Sequence, residues 1–266
     1  MSAPVDLTFE DYLAHPALSA SGAKRLLKAP ALYAHDRANP EPYVPTLNLG
    51  RAAHTRVLGV GDPIAVLDYP DYRSREARDA RDDVLRNGGT PLLTHEDAVV
   101  RDMVGALKAN RFARALLAKG DAEQSYLWTD PETGADCKAR VDWLTRTSGG
   151  QLVIVDYKTA ASANPGEFRR SCATYGYHIQ DAFHRSGVQA ATGEDIGFIF
   201  LVQEKTPPYL TSVVELDADA KALGERLTDR ARRIYVDCTR TGVWPGYDDR
   251  IHPVSLPAWV YTEEDE

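Results

Sequence analysis

The chain has 266 residues and a mass of 29.3 kDa, with 43% hydrophobic and 26% charged residues. That balance is ordinary for a globular protein, and the length suits one large domain or two small ones, able to bury a core without disulfides or a structural metal. No run approaches the ~20 apolar residues of a membrane span. The first ten residues lack the basic and apolar regions of a secretory signal. Cys137, Cys172 and Cys238 are too few and too scattered for a disulfide framework or a zinc knuckle. The expectation is a reduced, cytoplasmic protein with no membrane partner.

Net charge is −8, which disfavours a polyanionic partner at first sight. The charge is unevenly spread. Residues 23–56 carry six bases (Lys24, Arg25, Lys28, Arg37, Arg51, Arg56) against Asp36 and Glu41, while residues 248–266 carry six acids against Arg250. A basic segment can face phosphates while an acidic tail stays solvated, although two unrelated solvated surfaces explain the same pattern.

Along the chain, Ser19 and Ser21 precede an amphipathic run from Ala23 to Ala34, and either can cap that helix. A proline-rich link (Pro40, Pro42, Pro45) leads to a helix over about 47–58. Residues 72–86 alternate arginine with acids and read as an exposed helix ended by Gly88-Gly89. Thr94-His95-Glu96-Asp97 resembles a capping box that opens a helix over about 96–109. The period then changes from helical to alternating. Strands are expected over 123–128, 137–145 and 152–158, helices over 167–172 and 175–191, strands over 197–203 and 209–215, and a closing helix over 218–240. Asn164-Pro165-Gly166-Glu167 supplies a cap and a proline at the first helical position.

The strand Leu152-Val153-Ile154-Val155-Asp156-Tyr157-Lys158 carries the chemistry. Strand period two puts Asp156 and Lys158 on one face at the end of an apolar run. Asp142 lies on the polar face of the preceding strand, in a meander that brings two carboxylates together. Two carboxylates suit a hard divalent cation, and a lysine beside them can orient water or neutralise a charged transition state. The Asp-x-Lys triplet by itself is expected about once by chance, and a structural ion pair at a strand end explains it equally well.

Taken jointly with other segments, these residues resemble the exonuclease VIII (RecE) C-terminal nuclease-like family of the PD-(D/E)XK superfamily, and more distantly lambda exonuclease and RecB-type nuclease domains. Gly50-Arg-Ala-Ala-His54 resembles the G-x-x-x-H helix of those enzymes, and Asp142 with Asp156-x-Lys158 resembles their D…(D/E)-x-K core. Tyr175-Gly-Tyr177-His-Ile-Gln180 resembles the helix that carries their glutamine. The segments LSASGAKRLLKAPALYAHD, IVDYKTA and TGVWPGY…LPAW also have counterparts, so the likeness spans roughly residues 18–260. One departure is His184, where the glutamine helix of RecB relatives reads Q-x-x-x-Y.

The resemblance implies a mixed α/β fold: a restriction-endonuclease-like core with a central mixed sheet flanked by helices. It implies a single nuclease domain over 1–266, with a mainly helical part (1–120), a catalytic core (121–240) and a C-terminal segment with an acidic tail (241–266). It makes Asp142 and Asp156 the principal ligands of Mg²⁺, for which Mn²⁺ substitutes, with the Tyr157 carbonyl and His54 completing the metal set. Lys158 then serves the nucleophilic water, Glu123 approaches from the neighbouring strand, and Gln180 reaches the scissile phosphate. Ser19, Ser21, Lys24 and Arg25 would hold a 5′-phosphate, with ordinary helix capping the plainer explanation for the serines. No iron–sulfur cluster is expected from three cysteines. The implied activity is 5′→3′ digestion of linear double-stranded DNA ends, leaving a 3′ strand for a single-strand annealing protein in recombination. The implied assembly is a homo-oligomeric ring, tetramer or trimer, and the implied setting is a phage or its bacterial host. A single-strand or structure-specific nuclease, and a catalytically silent DNA-binding module of the same fold, are the rival readings.

Overall fold

In the computed structural model, residues 4–39 and 48–256 are described. Pro40, Pro42 and Pro45 of the expected link, and Trp259 with the four terminal acids, lie outside the described residues.

The centre is a five-stranded sheet of order β3-β4-β5-β6-β7, formed by β3 (Asp121–Thr129), β4 (Asp136–Arg146), β5 (Leu152–Ala160), β6 (Ile196–Glu204) and β7 (Thr211–Val214). Within this sheet β5 and β6 pair in parallel, and the other neighbours are antiparallel. A crossover is therefore required between β5 and β6. It is made by α8 (Pro165–Tyr175) and α9 (Tyr177–Thr192), and α10 (Ala218–Thr241) packs on α9. Asn164 caps α8 by accepting the Gly166 N–H, as its sequence predicts. Gly224 lets α10 approach α9, because a Cβ there would lie 2.1 Å from the His178 carbonyl oxygen.

The two faces of the sheet bury separate apolar cores. One joins Val141, Ile154, Phe198 and Phe200 to Phe168 and Val188 of the crossover helices. The other joins Val153, Val155, Tyr157 and Leu201 to α4 (Asn48–Leu58) and α6 (Thr94–Ala109). β5 is apolar on both faces because both are covered. The mixed α/β core with helices around a central sheet agrees with expectation.

Several elements differ. The run 23–34 is not one helix: α2 (Ala20–Lys28) stops before α3 (Pro30–Ala38), because Pro30 cannot continue the α2 hydrogen-bond ladder and instead opens the next helix. Ser19, not Ser21, is the N-cap of α2, accepting the Gly22 N–H at 3.2 Å. The cap of α6 is Leu93 rather than Thr94, and Glu96 reaches back to accept the Leu93 N–H at 2.8 Å. Three features have no counterpart in the sequence reading. They are a short helix α1 (Phe9–Ala14), a parallel pair of strands β1 (Ile64–Leu67) and β2 (Thr90–Leu93) flanking α5 (Arg75–Arg86), and a helix α7 (Arg111–Leu116). No helix among the described residues is long and apolar enough to cross a membrane.

Candidate active site

The β4–β5 ladder runs from Arg146↔Leu152 to Trp143↔Val155 and ends there. Beyond that pair, β4 keeps its partner β3 and β5 keeps its partner β6. Asp142 and Asp156 are the next residues on each strand, so both carboxylates stand where the sheet opens. The Asp142 carboxylate closes the gap by accepting the Tyr157 N–H at 3.0 Å.

Asp156 is almost fully enclosed, at 1% exposure. Its Oδ1 lies 2.5 Å from Lys158 Nζ and its Oδ2 accepts from Gln180 Nε2 at 2.5 Å. Burial pushes the Asp156 carboxyl up to about 6, against the pull of Lys158. Burial alone would lower the Lys158 ammonium, but Asp156 and Asp142 outweigh it and raise its pKa. The ammonium also lies 5.1 Å from the centre of the Tyr177 ring. Lys158 is thus a fixed cation rather than a resting base.

The second half of the site gathers around Asp142. His54 Nε2 is 3.3 Å from Asp142 Oδ2, and His54 Nδ1 is 3.6 Å from Glu123 Oε1. Burial opposes the charged form of both Asp142 and His54. Their mutual contact prevails, lowering the aspartate and raising the histidine, with Lys158 and the Tyr157 N–H also favouring the carboxylate and Glu123 favouring the imidazolium. His54 is delivered by α4, whose Ala52 and Ala53 are fully buried against the sheet. One turn earlier, Gly50 faces β5, where a Cβ would sit 3.4 Å from Thr159 Oγ1, an ordinary contact. The fully buried Asp97 of α6, ion-paired to both Arg56 and Arg101, ties α4 in place. Glu123 has φ 54, a left-handed conformation that a non-glycine residue adopts at a cost, and Arg140 holds its other oxygen.

His54, Glu123 and Asp142 each offer one ligand atom, and these atoms all lie within 4.8 Å of one another. Two carboxylate oxygens and an imidazole nitrogen fit a divalent cation such as Mg²⁺ or Mn²⁺. Asp156 stands outside this trio, engaged by Lys158 and Gln180.

The predicted anion-binding residues Ser19, Ser21, Lys24 and Arg25 lie at the cap and in the first turns of α2, and each has a partner within the protein. Ser19 caps its helix, with Ser21 Oγ 3.0 Å from Ser19 Oγ. Arg25 pairs with Asp36 at 2.6 Å. Lys24 donates to the Tyr175 carbonyl at 3.0 Å, and burial together with the charge of Lys158 lowers its pKa, with Asp156 opposing. Lys24 is thereby electrostatically joined to Asp156 and Lys158 of β5. Arg51 and Arg56 of the basic segment likewise face Asp62 and Asp97.

Sequence reasoning missed Arg140 and the surroundings of His184. Arg140 shares the alternating polar face of β4 with Asp142, which was the available signal. His184 lies one turn after Gln180 on α9; it is buried, its Nδ1 has no hydrogen-bond partner, and burial pushes its pKa down to about 4. Nothing in sequence marks that burial.

A mixed sheet that opens between one aspartate and an Asp-x-Lys triplet belongs to the PD-(D/E)XK-like class. Residues 72–254 match the model of the PDDEXK-like domain of unknown function (DUF3799), and the chain belongs to that family. His54, on α4, precedes the matched stretch. No curated protein matches the chain in sequence. Among solved structures, the chain is similar to a candidate exonuclease from Eubacterium rectale, at 16% identity and TM-score 0.59, covering 97% of this chain and 98% of that one. It is also similar to a phage-related exonuclease from Haemophilus somnus 129PT, at 12% identity and TM-score 0.34, covering 87% and 98%. At these identities the first likeness bears on the fold alone.

Proposed function

We propose that this chain is a divalent-metal-dependent exodeoxyribonuclease that hydrolyses linear double-stranded DNA from its 5′ ends. The observation that carries the reading is the convergence of Asp142, Asp156 and Lys158 at the opening of the sheet, with His54 and Glu123 beside them. A silent descendant of the fold has no reason to retain this whole set.

Asp142, His54 and Glu123 would hold Mg²⁺ or Mn²⁺, with Asp156 and the Tyr157 carbonyl next to them. The cation, when bound, supplies Lewis-acid activation of water and of the phosphate. Lys158 supplies a positive charge at the point where the phosphate gains negative charge in the transition state. Gln180 fixes the Asp156 carboxylate and offers an amide to the phosphate. Lys24, with Ser19 and Ser21 near it, would attract a terminal phosphate, whereas Arg25 is occupied by Asp36. Backbone contacts would dominate DNA binding, so digestion should be largely independent of sequence and weakened by salt.

A net charge of −8 makes sustained attraction to DNA difficult for an isolated subunit. A closed ring of three or four subunits around the duplex overcomes this, and the resemblance to exonuclease VIII and lambda exonuclease supports it. The 3′ strand left behind would pass to a single-strand annealing protein in recombination. End-labelled linear duplex, circular duplex and single strand, each with Mg²⁺ or EDTA, test the reading. Metal-dependent loss of label from linear duplex alone is expected. Equal cutting of circles would point to an endonuclease, and no cutting of any substrate to a silent module.

A further inference from the structure

A cavity of about 610 Å³ adjoins His54, Glu123 and Asp142. Its other walls come chiefly from α1, through Phe9 and Tyr12, and from the turn after α4, through Val60, Gly61 and Asp62. Phe9 is 51% exposed and Val60 40%, so two large apolar groups stand in water beside the metal-compatible cluster. The wall that carries Phe9 is firmly anchored. Lys138 Nζ donates to the carbonyls of Tyr12, Leu13 and His15 at 2.5, 3.1 and 2.8 Å, which closes the end of α1. Arg140 donates to the Leu7 carbonyl at 3.0 Å, and Val5 bridges to Ser125.

We propose that this cavity receives one unpaired nucleobase of the strand being cut. The inference rests on the nuclease reading and specifies the state of its substrate. Beyond the metal-compatible trio, where the scissile phosphate would meet the cation, a sugar–phosphate segment is a poor occupant. The two arginines of the lining, Arg51 and Arg140, already face Asp62 and Glu123. A neutral, flat, apolar-faced group fits those walls. The volume is in the range of cavities that take a small molecule. An interior base of a duplex has both faces covered, and a terminal base shows one face only as half of a pair, so a single base enters the cavity only after leaving its pair. Stacking on an aromatic ring tolerates any base, so the cavity would sense the unpaired state and not the sequence.

The test is binding of fluorescent duplexes in EDTA, where no hydrolysis occurs, measured by anisotropy. The set comprises a blunt duplex, duplexes with one unpaired nucleotide at the 5′ or the 3′ end, and the same overhangs with an abasic site. The 5′ overhang should bind about tenfold tighter than blunt duplex, in line with one aromatic stacking contact, and a preference for the 3′ overhang overturns the inference. The abasic overhang should bind like blunt duplex. Phe9→Ala should remove the preference and Phe9→Trp should keep it; Phe9 is half exposed, so neither change threatens folding. Equal binding of the abasic and normal overhangs, or an unchanged preference in Phe9→Ala, overturns the inference. Hydrolysis of the same duplexes with Mg²⁺ is read separately. Cutting without any overhang preference leaves the nuclease reading standing and removes the cavity's role, whereas absence of both DNA binding and cutting removes both.

Discussion

The two halves of the candidate site are built in opposite ways. In the middle of β5, where its pairing with β4 has ended, Asp156 is dry, locked between Lys158 and Gln180, and its carboxyl is pushed up to about 6. Around Asp142 the side chains of His54, Glu123 and Asp142 keep 20–28% of their exposure and border an open cavity. On the proposed reading, the difference separates two tasks. A cation must enter and exchange its water shell, which needs an accessible set of donors. A charge that acts on a transition state works best in a water-poor setting, because Coulomb interactions there are stronger. Asp142 joins the halves, since one of its oxygens meets both His54 and the Tyr157 N–H.

Removing the joint should have the largest effect. Asp142→Ala is expected to lower hydrolysis of linear duplex by at least about 10³-fold while the protein stays folded, because metal binding and the β4–β5 closure are lost together. Circular dichroism with the end-labelled assay checks it, and near wild-type digestion would remove Asp142 from the site.

Breaking only the dry half should separate chemistry from binding. Lys158→Ala is expected to lose turnover by about 10²-fold or more while retaining divalent-cation and DNA binding, since its contribution arises in the transition state. Lys158→Arg should also be slow, because a planar guanidinium does not occupy the position of an ammonium held at 2.5 Å from Asp156. A Lys158→Arg enzyme with normal turnover would reduce the role of the residue to positive charge alone.

A smaller change loosens the dry half without emptying it. Gln180→Leu deletes the amide that orients Asp156, and losses of about 10- to 100-fold in activity are expected for such a supporting group. Unchanged kcat and KM in that variant would show that Lys158 suffices to fix the carboxylate.

The last effect lies outside the activity and concerns stability. The His184 pKa is pushed down to about 4 in the fold, from an ordinary value of 6.5. Between those two values the unfolded chain binds a proton that the folded chain does not, so stability should fall as pH drops from about 6.5 to 4. The contribution of this one group approaches on the order of 3 kcal/mol at the lower end. Urea unfolding across that window should show a shallower loss for His184→Gln than for the natural chain.

How much of this was legible in sequence depended on the range of the interaction. The expected strand 152–158 appears as β5 over Leu152–Ala160, because an unbroken apolar run ending in charge is a local signal. The asparagine cap before α8 was equally local. The break between α2 and α3 was present in Pro30, and the amphipathic pattern on either side of it obscured it. β2 was not legible: Thr90–Leu93 has strand length, yet its partner β1 is more than 20 residues away and pairs in parallel across α5, so no hairpin links them. At the site, Asp142, Asp156 and Lys158 come from adjacent strands and were readable as a pattern. Their division into an open trio and a locked pair was not, because it depends on where the β4–β5 ladder ends. The cavity wall from α1 was hidden for a related reason: Lys138 reads as an exposed strand lysine, and only its three backbone carbonyl partners reveal that it anchors the N-terminal arm.

Calorimetric titration of Mn²⁺ into the natural chain, Asp142→Ala and Lys158→Ala, without DNA, tests the division of the site most directly. The account predicts saturable binding to the natural chain and to Lys158→Ala, and its loss in Asp142→Ala. Binding that survives in Asp142→Ala but vanishes in Lys158→Ala would contradict it.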